Sequence, residues 1–188
     1  INRLKEKEIT VYQTFGMTET ISHFALRKIG FETEPFYRTV QGVTIEEQDG
    51  NLIVVYPEMF DEPLLTTDLV NVYSNDKFEW IGRSDFVINS GGIKLNPEKI
   101  EQKLMDYISG SFFLTGIKDE ILGEKLVLVV ENSHDFLPNK SKLIQLLEKY
   151  EIPKLFVNIQ QFDRTNSGKI NRIQTIKKLN LDECREIV

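Results

Sequence analysis

Lys169 stands directly behind Gly168 in the run Arg164-Thr165-Asn166-Ser167-Gly168-Lys169-Ile170-Asn171-Arg172, at the mouth of an apolar-periodic segment. An ammonium held behind a glycine turn suits the negative charge that gathers on a phosphate or carboxylate as it reacts. Two further polar, glycine-bearing clusters lie upstream, Phe15-Gly16-Met17-Thr18-Glu19 and Gly82-Arg83-Ser84-Asp85. In the first, the Thr18 hydroxyl can donate to a phosphate oxygen while the Glu19 carboxylate holds Mg²⁺ beside it. The plainer reading is that Thr18 caps a helix and Glu19 favours its positive end. Asp68, in Thr66-Thr67-Asp68-Leu69-Val70, offers two oxygens to the vicinal hydroxyls of a ribose, or else bonds to backbone in a turn. Gly91-Gly92 admits a ligand close to the backbone, or simply makes a tight turn.

Other chemistries fail on spacing. A P-loop needs glycine where Asp163 stands and serine or threonine where Ile170 stands, and no GxGxxG occurs. His23 and His134 are isolated from any metal-ligand spacing and read as surface or lightly packed residues. Cys184 is the one cysteine, so neither a disulfide framework nor a thiolate cage can form. With no signal-peptide pattern, this usage points to the cytoplasm. The 188 residues carry 23 Lys+Arg against 29 Asp+Glu, a net charge of −6, which disfavours nucleic acid and anionic membranes as partners. No apolar run approaches the roughly 20 residues of a membrane span. Hydrophobic content of 40% with 28% charged residues is that of a folded chain.

The elements that must position these groups change character near Gly82. Residues 1–7 lead almost directly into a strand over residues 9–15, which ends at Gly16. Thr18 or Thr20 is placed to cap a short helix running to about Arg27. Asp49-Gly50 separates two strand-like runs and is a hairpin signal, because both residues tolerate positive φ. A second strand pair spans residues 65–73 and 78–81, so residues 1–82 read as mostly β. Beyond them, Asn96-Pro97 caps and opens a helix with Ile100, Leu104, Tyr107 and Ile108 on one face. Short strands are expected over residues 112–117, 126–131 and 155–159. Further helices are expected over residues 139–150, with Leu143, Leu146, Leu147 and Tyr150 inward, and after Gly168, with Ile170, Ile173, Ile176 and Leu179 on one face. Residues 86–188 therefore read as a small α+β domain joined through residues 83–85.

Taken in order, these clusters resemble the adenylate-forming enzymes: acyl- and aryl-CoA synthetases, peptide-synthetase adenylation domains and luciferases. Phe15-Gly16-Met17-Thr18-Glu19 is similar to the family's Tyr-Gly-x-Thr-Glu, and Leu65-Thr66-Thr67-Asp68-Leu69 to its Thr-Gly-Asp-Leu. Gly82-Arg83-Ser84-Asp85 through Gly92, with Pro97-Glu98-Lys99-Ile100-Glu101, resembles its hinge and following helix. Asp119 with Gly123-Glu124, then the Lys169 run, completes the series. Phe15 stands for the usual tyrosine, Thr67 for the usual glycine, and Asn89 where many members have lysine. None of these departures removes a charged group from the chemistry.

The resemblance implies an α+β protein: the β-rich, distorted-barrel end of a large AMP-binding domain (residues 1–82), a hinge (83–85) and a mobile C-terminal domain (86–188). It further implies that the chain is a piece of a longer protein, preceded by a Ser/Thr/Gly-rich phosphate loop and inactive without it. The implied activity is ATP-dependent: a carboxylate attacks the α-phosphate to give acyl-AMP and pyrophosphate, and CoA then displaces AMP as a thioester. By the same resemblance Lys169 is catalytic and Glu19 holds Mg²⁺. Phe15 stacks on adenine, Thr18 meets the α-phosphate, and Asp68 and Arg83 hold the ribose. Asp85 is the pivot, and Gly91 and Gly92 line the CoA path. Residues 16–23 and 89–95 look most like the o-succinylbenzoate–CoA ligases of menaquinone synthesis, in which Ser22 and His23 would line the acyl pocket. A peptide-synthetase domain loading a carrier protein, and a non-catalytic binding module on the same fold, stand as alternatives. The oligomeric state is left open.

Overall fold

The computed structural model describes residues 2–131 and 136–187, and His134 lies outside them. The chain divides into two compact units, Ile1–Asp85 and Phe86–Val188. In the first, a one-turn helix α1 (Asn2–Glu6) precedes the first strand, where residues 1–7 were expected to run straight into it. Seven strands follow: β1 (Thr10–Gly16), β2 (His23–Gly30), β3 (Tyr37–Thr39), β4 (Thr44–Gln48), β5 (Asn51–Val55), β6 (Leu64–Ser74) and β7 (Lys77–Arg83). They form one antiparallel sheet in the order β1-β2-β3-β7-β6-β5-β4. Among the described residues β1 and β4 remain its edges, so the expected distorted barrel is an open sheet. Asp49 and Gly50 have φ of 53° and 82°, the doubly positive turn that lets β4 and β5 keep their right-handed twist.

The helix expected over residues 18–27 is instead strand β2, paired with β1 from Thr10↔Gly30 to Phe15↔Ala25. Burial decides the outcome. Phe24 and Ala25 sit in a core with Tyr37, Leu52, Val54 and Phe78, and that packing outweighs the local helix preference of Ala25, Leu26 and Arg27.

The second unit follows a 3-10 turn, Ser84–Phe86, that begins in the first unit and ends at the second unit's first residue. It continues through β8 (Ile88–Ser90), β9 (Ile93–Leu95), α2 (Pro97–Leu104), β10 (Phe112–Asp119), β11 (Gly123–Glu131), α3 (Lys140–Leu146), β12 (Leu155–Ile159), α4 (Arg172–Lys177) and β13 (Arg185–Glu186). Strand β11 pairs with β10, β8 and, in parallel, β12. Its residues alternate between two cores. Leu126, Leu128 and Val130 pack with Ile100 and Leu104 of α2 and Leu143 of α3. Val127 and Val129 pack on the other face with Phe113, Phe162 and the Ile170–Ile176–Leu179 stripe. A strand covered on both faces reads as an unbroken apolar run.

Three expectations here need correction. Helix α3 stops at Leu146, because Leu147 turns extended at φ −124° and ψ 150°, and Tyr150 is left 61% exposed. Helix α4 starts at Arg172 and is capped by Asn171, so Thr175 is buried and Ile173 is 56% exposed. Asn96 precedes α2, yet its side chain makes no capping bond.

Candidate active site

The segment between β1 and β2 is a turn closed on itself. Thr20 is 3% exposed. Its hydroxyl accepts from the Met17 N–H at 3.1 Å and lies within donating distance of two carbonyls, Met17 at 3.0 Å and Ser22 at 2.7 Å. The Thr18 carbonyl accepts from the Ile21 N–H, and Ile21 takes φ +58°, a cost a β-branched residue bears only where neighbours fix it. Gly16 is required by close approach: a Cβ there would meet the Ser22 carbonyl oxygen at 2.5 Å and His23 Cα at 2.7 Å. This closure leaves Thr18 and Glu19 exposed. Ser22 Oγ and His23 Nδ1 lie 3.2 Å apart, also in solvent. The half-buried Phe15 ring packs against Phe24, Tyr37 and Phe78 at centroid distances of 5.1–5.6 Å.

A second group is built by the β6–β7 ladder, which places Asp68 opposite Arg83. Trp80 Nε1 donates to Asp68 Oδ1 at 2.9 Å. Burial pushes the Asp68 carboxyl above its ordinary range, against the Trp80 hydrogen bond and the Arg83 charge, which both lower it. Arg83 grips Asp85 bidentately, Nε to Oδ1 at 2.9 Å and Nη2 to Oδ2 at 2.8 Å. Asp68, Arg83 and Asp85 thus form one cluster. Strand β3 stands between β2 and β7 in the sheet, separating this cluster from the strand that follows the Thr18–Glu19 turn.

In the second unit Gly91 and Gly92 form the two-residue turn of the β8–β9 hairpin, with φ of 60° and 81°. The Gly91 N–H donates to the Leu122 carbonyl at 2.8 Å, and the Asn89 N–H to Glu124 Oε2 at 2.7 Å. The β10–β11 turn is drawn tight by Asp119, whose Oδ1 accepts from the Ile121 and Leu122 amides. Its Oδ2 pairs with Lys125 at 2.6 Å, and that bond, followed by the amide bonds, holds the Asp119 carboxyl below its usual range.

Lys169 lies at the end of a small hairpin. Arg164 and Ile170 form a bridge. Within it the Gly168 N–H donates to the Thr165 carbonyl at 2.9 Å, and the Thr165 N–H to the Lys169 carbonyl at 2.8 Å. Gly168 at φ +82° supplies the left-handed residue such a loop requires. The flanking cations are committed elsewhere: Arg164 to Glu131, and Arg172 to Glu101 at 2.7 Å. Lys169 is exposed, and among the described residues no carboxylate lies within ion-pair distance of its ammonium.

The sequence offered Thr20 only as a helix cap, where it closes a turn instead, and assigned no role to Trp80, Glu101 or Arg172. The Glu98-x-x-Glu101 spacing beside the core positions Ile100 and Leu104 was the available signal for the last pair. Trp80 carried none. No group of three or more His, Cys, Asp or Glu among the described residues is arranged to hold a metal ion. None of the helices searched among those residues is long and apolar enough to cross a membrane.

No protein-family model matches the chain. It is 28% identical to the 2-succinylbenzoate–CoA ligase of Geobacillus sp. (strain WCH70), an alignment covering 90% of this chain and 41% of that protein. It is 25% identical to the ligase of the same name from Staphylococcus epidermidis (strain ATCC 12228 / FDA PCI 1200), covering 93% and 42%. Among solved structures, the o-succinylbenzoate coenzyme A synthetase (MenE) of Bacillus subtilis, in complex with ATP and magnesium ion, superposes with a TM-score of 0.75 at 21% identity. That match covers 92% of this chain and 42% of that one. The chain therefore spans about two-fifths of the length of the curated relatives it matches. The resemblance to adenylate-forming enzymes is borne out in sequence and in fold.

Proposed function

We propose that this chain is the C-terminal part of an AMP-forming acid–CoA ligase, and within that class of an o-succinylbenzoate–CoA ligase. Similarity over nine-tenths of the chain to ligases of that name supports the reading. One structural observation carries it: Lys169 is presented on a hydrogen-bonded hairpin, exposed and without a carboxylate partner among the described residues, while Arg164 and Arg172 beside it are ion-paired.

In the first half-reaction a carboxylate oxygen of the acid attacks the α-phosphorus of ATP, the bond to the pyrophosphate oxygen breaks, and acyl-AMP forms. Lys169 stabilises the charge gathering between carboxylate and phosphate; one aimed donor of this kind contributes on the order of 10²–10³ in rate. Thr18 donates to the α-phosphate, and the outward part of the Phe15 ring meets adenine. Asp68 accepts from a ribose hydroxyl through the oxygen that Trp80 does not engage, with Arg83 beside it. The exposed Glu19 carboxylate would hold Mg²⁺, a cation bound in such sites by one or two carboxylates, and the ion would supply neutralisation of phosphate charge. In the second half-reaction the CoA sulfur attacks the acyl carbon and AMP leaves. The side-chain-free Gly91–Gly92 turn borders the path of the thiol arm, and Asp85 at the junction of the units is the pivot. Ser22 and His23 border the acyl group.

The test is ATP–pyrophosphate exchange by the full-length protein. Exchange driven by o-succinylbenzoate and not by a fatty acid is expected; the reverse preference overturns the subgroup, and no exchange with any acid overturns the ligase. The 188-residue chain alone is expected to give none.

A further inference from the structure

We propose that Arg172 is a positioning residue that locks the Lys169 hairpin to helix α2, and so governs adenylation rather than thioester formation. The inference rests on the ligase reading above. Arg172 follows Lys169 by one short step of chain, and that step is itself fixed, since the Asn171 N–H donates to the Asp163 carbonyl at 2.7 Å. The Arg172 guanidinium lies over the rings of Phe86 and Phe113, at 5.0 and 5.7 Å from their centroids. Nη2 donates to Glu101 Oε2 at 2.7 Å, and Nη1 stands 4.0 Å from Glu98 Oε1. Glu98 and Glu101 are 8% and 9% exposed. The other Glu101 oxygen accepts from the Leu114 N–H at 2.8 Å.

Helices α2 and α4 cover opposite faces of the sheet, and this cluster joins them across the start of β10. A buried ion pair is a poor source of raw stability, because desolvation offsets its attraction. What it supplies here is a single permitted placement. Any shift of the hairpin that drags Arg172 away leaves buried charges of both signs unpaired, so Lys169 is held on rigid elements rather than on a free loop. The Gly91–Gly92 turn is secured separately, through Leu122, and does not depend on Arg172.

The experiment compares Arg172→Met, which keeps the bulk over both phenylalanines, with the unaltered protein. In the full-length ligase the adenylation half-reaction is expected to fall about 10–10²-fold, the scale of an ångström-level misplacement. Conversion of preformed acyl-AMP and CoA to thioester should keep its rate. In the 188-residue chain, amide exchange at Gly168 and Lys169 should quicken while that of Leu128 and Val129 in β11 stays slow. Equal losses in both half-reactions, an unchanged hairpin, or loss of protection throughout the second unit each overturn the inference. Lys169→Met, measured alongside, separates it from the ligase reading. If that variant adenylates normally the reading fails, whereas if it is inactive and Arg172→Met is not, only the present inference fails.

Discussion

Glu101 makes two buried contacts with one carboxylate, and the two can be removed separately. Glu101→Ala deletes the acceptor of the Leu114 amide, a residue 1% exposed, and also the partner of Arg172. An orphaned buried amide costs about 1–3 kcal/mol, and breaking a buried pair from one side about 3–5 kcal/mol. The two overlap because one group is lost, and Glu98 remains 4.0 Å from Arg172, so a loss of about 3 kcal/mol is expected. Glu101→Gln keeps an acceptor oxygen and the volume. Burial raises the Glu101 carboxyl above its ordinary value of 4.5, outweighing the pull of Arg172 and the Leu114 hydrogen bond, so charge at this position is not favoured in itself. Glu101→Gln should therefore cost only about 1 kcal/mol. A raised carboxyl contributes its stability below its unfolded-state value, and loses it as pH climbs through the folded-state one. The unaltered chain should accordingly lose ground to Glu101→Gln as pH rises from 4.5 toward neutrality. Urea unfolding followed by NMR at Leu114 and Leu128 reads both quantities. Equal destabilisation by Gln and Ala at neutral pH would refute the reasoning, since the acceptor of the Leu114 amide, which Gln keeps, would then contribute nothing measurable.

Thr20→Val removes the hydroxyl that closes the Met17–Ser22 turn, orphaning the Met17 amide at a cost of about 1–3 kcal/mol. Thr20→Ser should restore most of it in thermal melts, and failure of serine to do so would count against the hydroxyl. Trp80→Phe deletes the hydrogen bond that lowers the Asp68 carboxyl, so its titration, followed by carboxyl-carbon NMR, should move further up. A midpoint that stays or falls contradicts this. On the proposed ligase reading, Asp85→Pro in the full-length protein should slow thioester formation more than adenylation, and equal losses in the two half-reactions would remove Asp85 as the pivot.

Chemical punctuation was legible where one residue type dictates one backbone state. Asp49-Gly50 gave its hairpin because both positions need positive φ, and Gly168 marked the turn before Lys169 for the same reason. Strands β10, β11 and β12 of the second unit were legible because continuous apolar runs such as Leu126 to Val130 have few alternatives. Strand β2 was not, since Thr18 and Thr20 ahead of Ala25-Leu26-Arg27 look locally like a capped helix, and only the sheet's demand for Phe24 and Ala25 overrides that. The three-residue strands β3, β8 and β9 are too short to show a period. Around the site, the charged and glycine residues announced themselves by type. Their supports did not, because whether Thr20 is a surface hydroxyl or a buried clasp depends on long-range pairing of β1 with β2. Arg172 likewise meets Glu101 only when α2 and α4 settle on opposite faces of one sheet.

The most direct measurement is ATP–pyrophosphate exchange by the full-length protein carrying Lys169→Met, paired with thioester formation from preformed acyl-AMP and CoA. Exchange reduced on the order of 10²–10³-fold with thioester formation retained is the expected result. Exchange at the unaltered rate would contradict the central claim that Lys169 supplies the cation for adenylation.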